Sequence, residues 1–186
     1  FAEGTFNAAF IPSYTSAKLK NQKEGKKFAD NVFNLLLLIL LFIVTLAEIF
    51  TPFLVYLIAP GFAVDNVKFD LAVEFTRITF PFLLFVSLSS FFSGILNSHN
   101  KFAAAAAAPI ILNIILIISI LISYFQSLNI AKHLSYGVTL AGVLQLIFLI
   151  FFTLRFYKPN IKLRFKITNK VKFFFKKLLP SIFSSG

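Results

Sequence analysis

The chain has 186 residues, of which 58% are hydrophobic and 13% are charged, and its formal net charge is +11. It contains no cysteine, which excludes disulfides and thiol chemistry, and its mean hydropathy is +0.86. A nucleic-acid-binding surface needs a folded basic face, and a chain this apolar offers no soluble domain to carry one. Composition therefore predicts an all-α, polytopic transmembrane helix bundle.

Four long stretches of the chain are almost free of charge. The first, Val32–Ala59, contains only Glu48, and the next three contain none: Ile78–Leu96, Phe102–Ala131 and Leu134–Leu154. A helix needs ~20 apolar residues to cross a hydrocarbon core of ~30 Å. Each stretch is therefore long enough to span a bilayer.

The basic residues between these stretches predict the orientation. Of the 18 lysines and arginines, 15 lie in the alternate segments 13–31, 97–101 and 155–177. The positive-inside rule places these segments in the cytoplasm. Their cations, including those of a predicted basic amphipathic helix at 170–179, would gain ~1 kcal/mol each beside anionic membrane lipids.

The resulting topology is that of an internal piece of a longer membrane protein. In chain order, the predicted segments are the cytoplasmic end of a preceding transmembrane helix (1–14), a cytoplasmic loop (15–31), a transmembrane helix (32–59), a periplasmic loop (60–71), a transmembrane helix (72–96), a cytoplasmic loop (97–102), a transmembrane helix (103–125), a periplasmic loop (126–133), a transmembrane helix (134–154), a basic cytoplasmic segment (155–177) and the start of a further transmembrane helix (178–186).

Glu48 is the most unusual single residue. It lies ~16 Å inside the outer end of its predicted helix, where an acidic side chain costs ~2.5–3.5 kcal/mol. Pro52 has no N–H to bond the carbonyl of Glu48, which predicts a kink with a free carbonyl. One helical face would carry Asn34, Thr45, Glu48, Pro52 and Tyr56. Two interpretations stay open: an ion or proton site that faces a cavity, or a carboxyl group that bonds a neighbouring helix.

Other polar side chains in the spans allow a packing role or a functional one. Arg77 can pair with Glu74, one turn away, or contact a substrate. Asn113 is typical of a helix–helix hydrogen bond, and Gln145 fits either packing or a polar contact across a cavity. The chain shows no spacing of ligands for a metal and no set of residues for catalysis.

Six motifs in order resemble the MurJ (MviN) family, the lipid II flippases of the multidrug/oligosaccharidyl-lipid/polysaccharide exporter superfamily. They are FAEGTF with AFIP (1–12), APGF (59–62), RITFPF (77–82), GILN before Phe102 (94–102), AP with LN (108–113) and GVLQ (142–145). Thr5 and Ala141 depart mildly from the family pattern, and the family's cavity arginines would lie on helices outside these residues.

The resemblance implies part of the N-terminal lobe of a two-lobed transporter in the bacterial inner (cytoplasmic) membrane. Its substrate would be lipid II, the undecaprenyl-pyrophosphate-linked peptidoglycan precursor, which is moved from the inner to the outer leaflet without a cofactor. The full-length protein would be a monomer and no enzyme. Glu3 would be a gate-side acid, with Arg77, Asn97, Asn113 and Gln145 as further substrate or gate candidates.

Three alternatives remain beside a lipid II flippase. The first is a flippase of the same superfamily for another polysaccharide lipid, against which the FAEGTF motif argues. The second is an ion-coupled antiporter centred on Glu48. The third is a membrane scaffold that transports nothing.

Overall fold

A computed structural model describes the backbone of residues 2–162 and the side chains of residues 4–162. The prediction of an all-α chain is confirmed, because these residues form helices and no strand. The helices are α1 (Ala2–Lys20), α2 (Gln22–Ile49), α3 (Thr51–Ile58), a 3₁₀ turn (Pro60–Val64), α4 (Asn66–Thr79), α5 (Phe82–Asn97), α6 (Phe102–Phe125) and α7 (Ile130–Thr153). The predicted amphipathic helix at 170–179 and the predicted start of a span at 178–186 lie outside the described residues.

Four helical stretches are long and apolar enough to cross a membrane: Gln22–Ile49, Asn66–Asn97, Phe102–Phe125 and Ile130–Thr153. Their large apolar side chains are often exposed, as at Phe42 of α2, which is 66% exposed. In water such surfaces would aggregate, whereas lipid tails cover them at no cost.

Short polar side chains cap the N-termini of three helices. Asn21 accepts a hydrogen bond from the backbone N–H of Lys23 at 2.9 Å, and it is the one non-helical residue between α1 and α2. The predicted loop 15–31 is thus helical on both sides of this residue. Asp65 and Asn129 cap α4 and α7 in the same manner.

Residues 2–39, 87–108 and 146–162 belong to one compact unit, here called unit 1. Phe91 of α5 is fully buried in its core, with its ring centroid 5.1 Å from that of Phe10, 5.4 Å from Phe33 and 5.8 Å from Tyr157. Gly94 lets α1 pack closely against α5, because a Cβ there would lie 2.6 Å from Oδ1 of Asn7. Small residues let membrane helices approach each other in this way.

Residues 40–86 and 109–145 form unit 2. Gly142 of α7 packs against α5, where a Cβ would lie 2.7 Å from the ring of Phe82. The hydroxyl of Thr139 donates a hydrogen bond to the carbonyl of Ile78 at the end of α4. Pro81 interrupts the chain between α4 and α5, so this bond satisfies a carbonyl next to the break.

The break predicted at Pro52 is confirmed, but the carbonyl of Glu48 is not free. Helix α2 ends at Ile49 and α3 begins at Thr51. The Thr51 hydroxyl donates to the carbonyl of Ala47 at 2.7 Å and to that of Glu48 at 3.0 Å. A side chain in the helix thus replaces the N–H that proline lacks.

Replacing Thr51 with valine should destabilise the protein by about 1 kcal/mol, because the hydroxyl that serves the break is lost while the shape is kept. The thermal unfolding midpoint of the full-length protein in detergent measures this loss. Thr45→Val is the matched control, since Thr45 lies on α2, six residues before Thr51, and is exposed. Equal midpoints for the Thr51→Val and Thr45→Val variants would contradict this role.

Candidate functional site

The candidate residues fall into both units. Asn97 belongs to unit 1, and Glu48, Arg77, Asn113 and Gln145 belong to unit 2. Glu3 lies in the first turn of α1, but its side chain is outside the described residues. Its role as a gate-side acid therefore stays a prediction.

Glu48 and Arg77 are the two charged candidates in unit 2. They form no ion pair, because no described carboxylate lies within 4.0 Å of Arg77. One carboxyl oxygen of Glu48, Oε1, is buried and has no hydrogen-bond partner in the described part of the chain. Unpartnered acids in a membrane segment are costly and often functional.

The pairing of Glu74 with Arg77 is not formed. Glu74 instead binds Lys132 at the start of α7, with 2.7 Å between Oε1 and Nζ. Lys132 comes from a distant part of the chain, so helical spacing could not reveal it. Arg77 is exposed and has no carboxylate within 4.0 Å among the described residues, so a functional role stays open for this side chain.

The three amides have different surroundings. Gln145 is buried in unit 2, as packing or a polar contact inside the protein requires. Asn113 is exposed on α6, so the structure gives no support to a helix–helix hydrogen bond at this position. Asn97 is half-buried at the end of α5, and its carbonyl accepts from the N–H of Asn100 in the following turn.

A polar clasp in unit 1 was not predicted from the sequence. Oδ1 of Asp30 on α2 accepts the Tyr157 hydroxyl at 2.6 Å and the backbone N–H of Asn160 at 3.2 Å. Asn34, one turn along α2, donates to the Asn160 carbonyl at 2.8 Å and accepts the N–H of Lys162 at 2.7 Å. These four hydrogen bonds fix the segment after α7 to α2, and we refer to them as the clasp.

The clasp corrects the interpretation of Asn34, which was grouped with Glu48 and Tyr56 on one helical face. Asn34 is buried and belongs to unit 1, whereas Tyr56 is exposed and belongs to unit 2. Burial and then the hydrogen bond to Asp30 raise the pKa of Tyr157, so this phenol stays protonated and remains a donor. No sequence pattern marks a pair that is 127 residues apart.

His99 closes the turn after α5 in a neutral state. Its Nδ1 lies 2.9 Å from the carbonyl of Ile95, and its Nε2 lies 2.8 Å from Nζ of Lys18. Burial and the charge of Lys18 lower the pKa of His99, although the Ile95 carbonyl opposes this shift. Nδ1–H therefore donates to the carbonyl, and Nε2 accepts from the ammonium of Lys18.

Comparison with known proteins identifies the family of this chain. The family described as Lipid II flippase MurJ matches residues 1–186, the whole chain. The chain belongs to the MurJ family. It is 41% identical to a probable lipid II flippase MurJ of Rhizobium tropici over 192 residues, which is 100% of this chain and 36% of that protein. It is 44% identical to the Rickettsia prowazekii (strain Madrid E) relative over 151 residues, 80% of this chain and 29% of that protein.

A solved structure of a MurJ, titled "Lipid II flippase MurJ, inward closed conformation", has the same fold. It matches with a TM-score of 0.79 and 27% identity, over 99% of this chain and 37% of the solved one. The chain thus spans about a third of the length of the MurJ proteins that it matches. Family membership and four helices able to cross a bilayer make it part of a multi-pass membrane protein.

The clasp can be tested through Tyr157→Phe, which removes the phenol donor and keeps the ring. Because hydrogen bonds to charged groups contribute about 1.5–3 kcal/mol, the segment after α7 should detach more often. Trypsin should then cut the full-length protein after Arg155 faster than in the wild type, as followed by mass spectrometry. Tyr136→Phe, at an exposed tyrosine of α7, is the control. An unchanged cleavage rate in Tyr157→Phe would refute the clasp.

Proposed function

We propose that the protein of which this chain forms part is a lipid II flippase. The match of the MurJ family to all 186 residues supports this proposal most strongly. The substrate would be the undecaprenyl-pyrophosphate-linked peptidoglycan precursor, moved from the inner to the outer leaflet of the bacterial inner membrane. Translocation makes and breaks no covalent bond, so we propose neither an enzyme activity nor a catalytic residue.

The physical obstacle to this transport is the charged pyrophosphate, which cannot cross hydrocarbon unaided. Alternating access solves this problem, because two lobes open a polar cavity to one side of the membrane at a time. The two proline breaks in unit 2 support such a mechanism. Interrupted helices are typical of transporters, and their short segments can pivot at the break.

Within this mechanism we propose Glu3, in the first turn of α1, as a gate-side acid. Arg77, Asn97, Asn113 and Gln145 are weaker candidates for contacts to the substrate or the gate. The burial of Gln145 supports one of them, and the exposed Arg77 side chain, which has no described carboxylate within 4.0 Å, supports another. The full-length protein would act as a monomer, since a single chain of this family supplies both lobes.

A second function is favoured by one observation, the buried and unpartnered oxygen of Glu48. Such an oxygen could take up a proton or bind a cation, as an ion-coupled antiporter of the same superfamily requires. The two functions differ in how much they depend on this carboxyl group. If lipid II transport does not involve Glu48, the charge of this carboxyl group is dispensable. If transport is coupled to an ion through Glu48, the charge is required.

Complementation separates these proposals. In bacteria depleted of their own lipid II flippase, the full-length protein should restore growth and the appearance of lipid II on the outer leaflet. Glu3→Gln should reduce translocation by roughly tenfold or more, the effect of losing one charge-assisted contact of ~1.5–3 kcal/mol. Glu24→Gln, at a surface acid near Lys27, is the control and should be neutral.

The outcomes that contradict the proposal are specific. A protein that reaches the membrane but leaves lipid II on the inner leaflet would refute the flippase function. Normal translocation by Glu3→Gln would refute the gate role alone. Loss of transport in Glu48→Gln would favour ion coupling through that residue.

A further inference from the structure

Unit 1 contains an open pocket that the transport mechanism does not use. Its volume is about 560 Å³, and it lies among the end of α1, the start of α2, the turn after α5 and the segment after α7. All its lining residues belong to unit 1. The charge distribution of the sequence assigns these four segments to the cytoplasmic side.

All the charged side chains of the lining are basic. Lys18, Lys26, Arg155 and Lys158 contribute four positive charges, His99 adds an imidazole, and none of the lining residues described here is acidic. None of the four cations has an ion-pair partner within 4.0 Å in the part of the chain that the structure describes. Like charges gathered in a concave site repel each other and focus a positive potential, which an anion would neutralise.

Lys18 contacts neutral His99 within this lining. Their nitrogens are 2.8 Å apart, and neutral His99 accepts only one of the three donors of the ammonium. Two N–H groups of Lys18 remain for a ligand. Gly25 brings α2 close to the same lysine, since a Cβ at Gly25 would lie 3.0 Å from Cα of Lys18.

The opposite wall is held in place before any ligand arrives. Tyr157 lies between Lys158 and Phe156, and the clasp anchors it to Asp30 at 2.6 Å. The ring of Phe156 packs on His99 with 4.7 Å between centroids. Arg155 and Lys158 are therefore carried by a fixed backbone, so binding would lose little conformational entropy.

We propose that this pocket binds a phosphate group of an anionic ligand through Lys18, Lys26, Arg155 and Lys158. Phosphate fits this donor set, because guanidinium and ammonium groups are its usual protein ligands. The volume exceeds that of a single phosphate, so the group would belong to a phospholipid headgroup or to a soluble diphosphate. The inference is independent of the proposed flippase function.

Two double variants of the full-length protein test the proposal. Lys18→Gln/Lys158→Gln removes two charges of the pocket, whereas Lys20→Gln/Lys23→Gln removes two exposed charges of the same region that do not line it. The two double variants lower the net charge of the protein by the same amount. Any difference between them therefore reports on the pocket and not on the general attraction of a basic surface.

Two binding measurements distinguish the possible sources of the phosphate. Native mass spectrometry of the detergent-solubilised protein compares the binding of phosphatidylglycerol with that of phosphatidylcholine. Calorimetry at constant ionic strength measures the binding of sodium pyrophosphate. The pocket variant should bind one of these phosphate ligands about tenfold or more weakly than the control variant, as expected for two lost charged contacts. Weaker phosphatidylglycerol binding identifies a headgroup, and weaker pyrophosphate binding identifies a soluble ligand.

Equal affinities of the two double variants in both measurements would overturn the proposal. Should the pocket variant unfold, the adjacent lysines Lys26 and Lys27 provide a second comparison. Both are exposed, but only Lys26 lines the pocket. Lys26→Glu should weaken phosphate binding more than Lys27→Glu, and equal effects would again refute the site.

Discussion

The fold of this chain depends on one constraint, that a backbone carbonyl in hydrocarbon must receive a hydrogen bond. An unpaired carbonyl there costs several kcal/mol, and no water is present to replace the donor. Pro52 and Pro81 each remove a donor, and the hydroxyls of Thr51 and Thr139 serve carbonyls beside the two breaks. Each break is therefore accompanied by a hydroxyl donor, which lowers the cost of interrupting a helix in hydrocarbon.

Features that depend on neighbouring residues were predictable from the sequence. The helical spans follow from the length of the apolar stretches, and the break at Pro52 follows from the missing N–H of proline. The bond from Thr51 to the Glu48 carbonyl was missed, although a hydroxyl three residues after a carbonyl is a local signal for it. The family itself followed from six short motifs in the right order, which the match over residues 1–186 confirms.

Features that depend on tertiary structure were not predictable. Helical spacing favours Arg77 as the partner of Glu74, yet Lys132 binds Glu74 at 2.7 Å because α7 begins beside α4. The clasp joins Asp30 to Tyr157 across 127 residues, and neither residue belongs to a recognisable motif. The basic pocket likewise gathers lysines that the sequence suggests only as a general excess of positive charge. Single polar contacts of this kind carry no periodic pattern.

Membrane orientation is the central claim, since the direction of transport, the gate role of Glu3 and the ligand of the basic pocket all assume it. The natural chain has no cysteine, so single cysteines can be labelled without background from these residues. Lys23→Cys and Val64→Cys place one thiol in each predicted compartment, both at exposed positions. In intact cells, a membrane-impermeant maleimide should label position 64 and leave position 23 untouched until the membrane is opened. Labelling of position 23 from outside, with position 64 protected, would invert the topology and contradict this account.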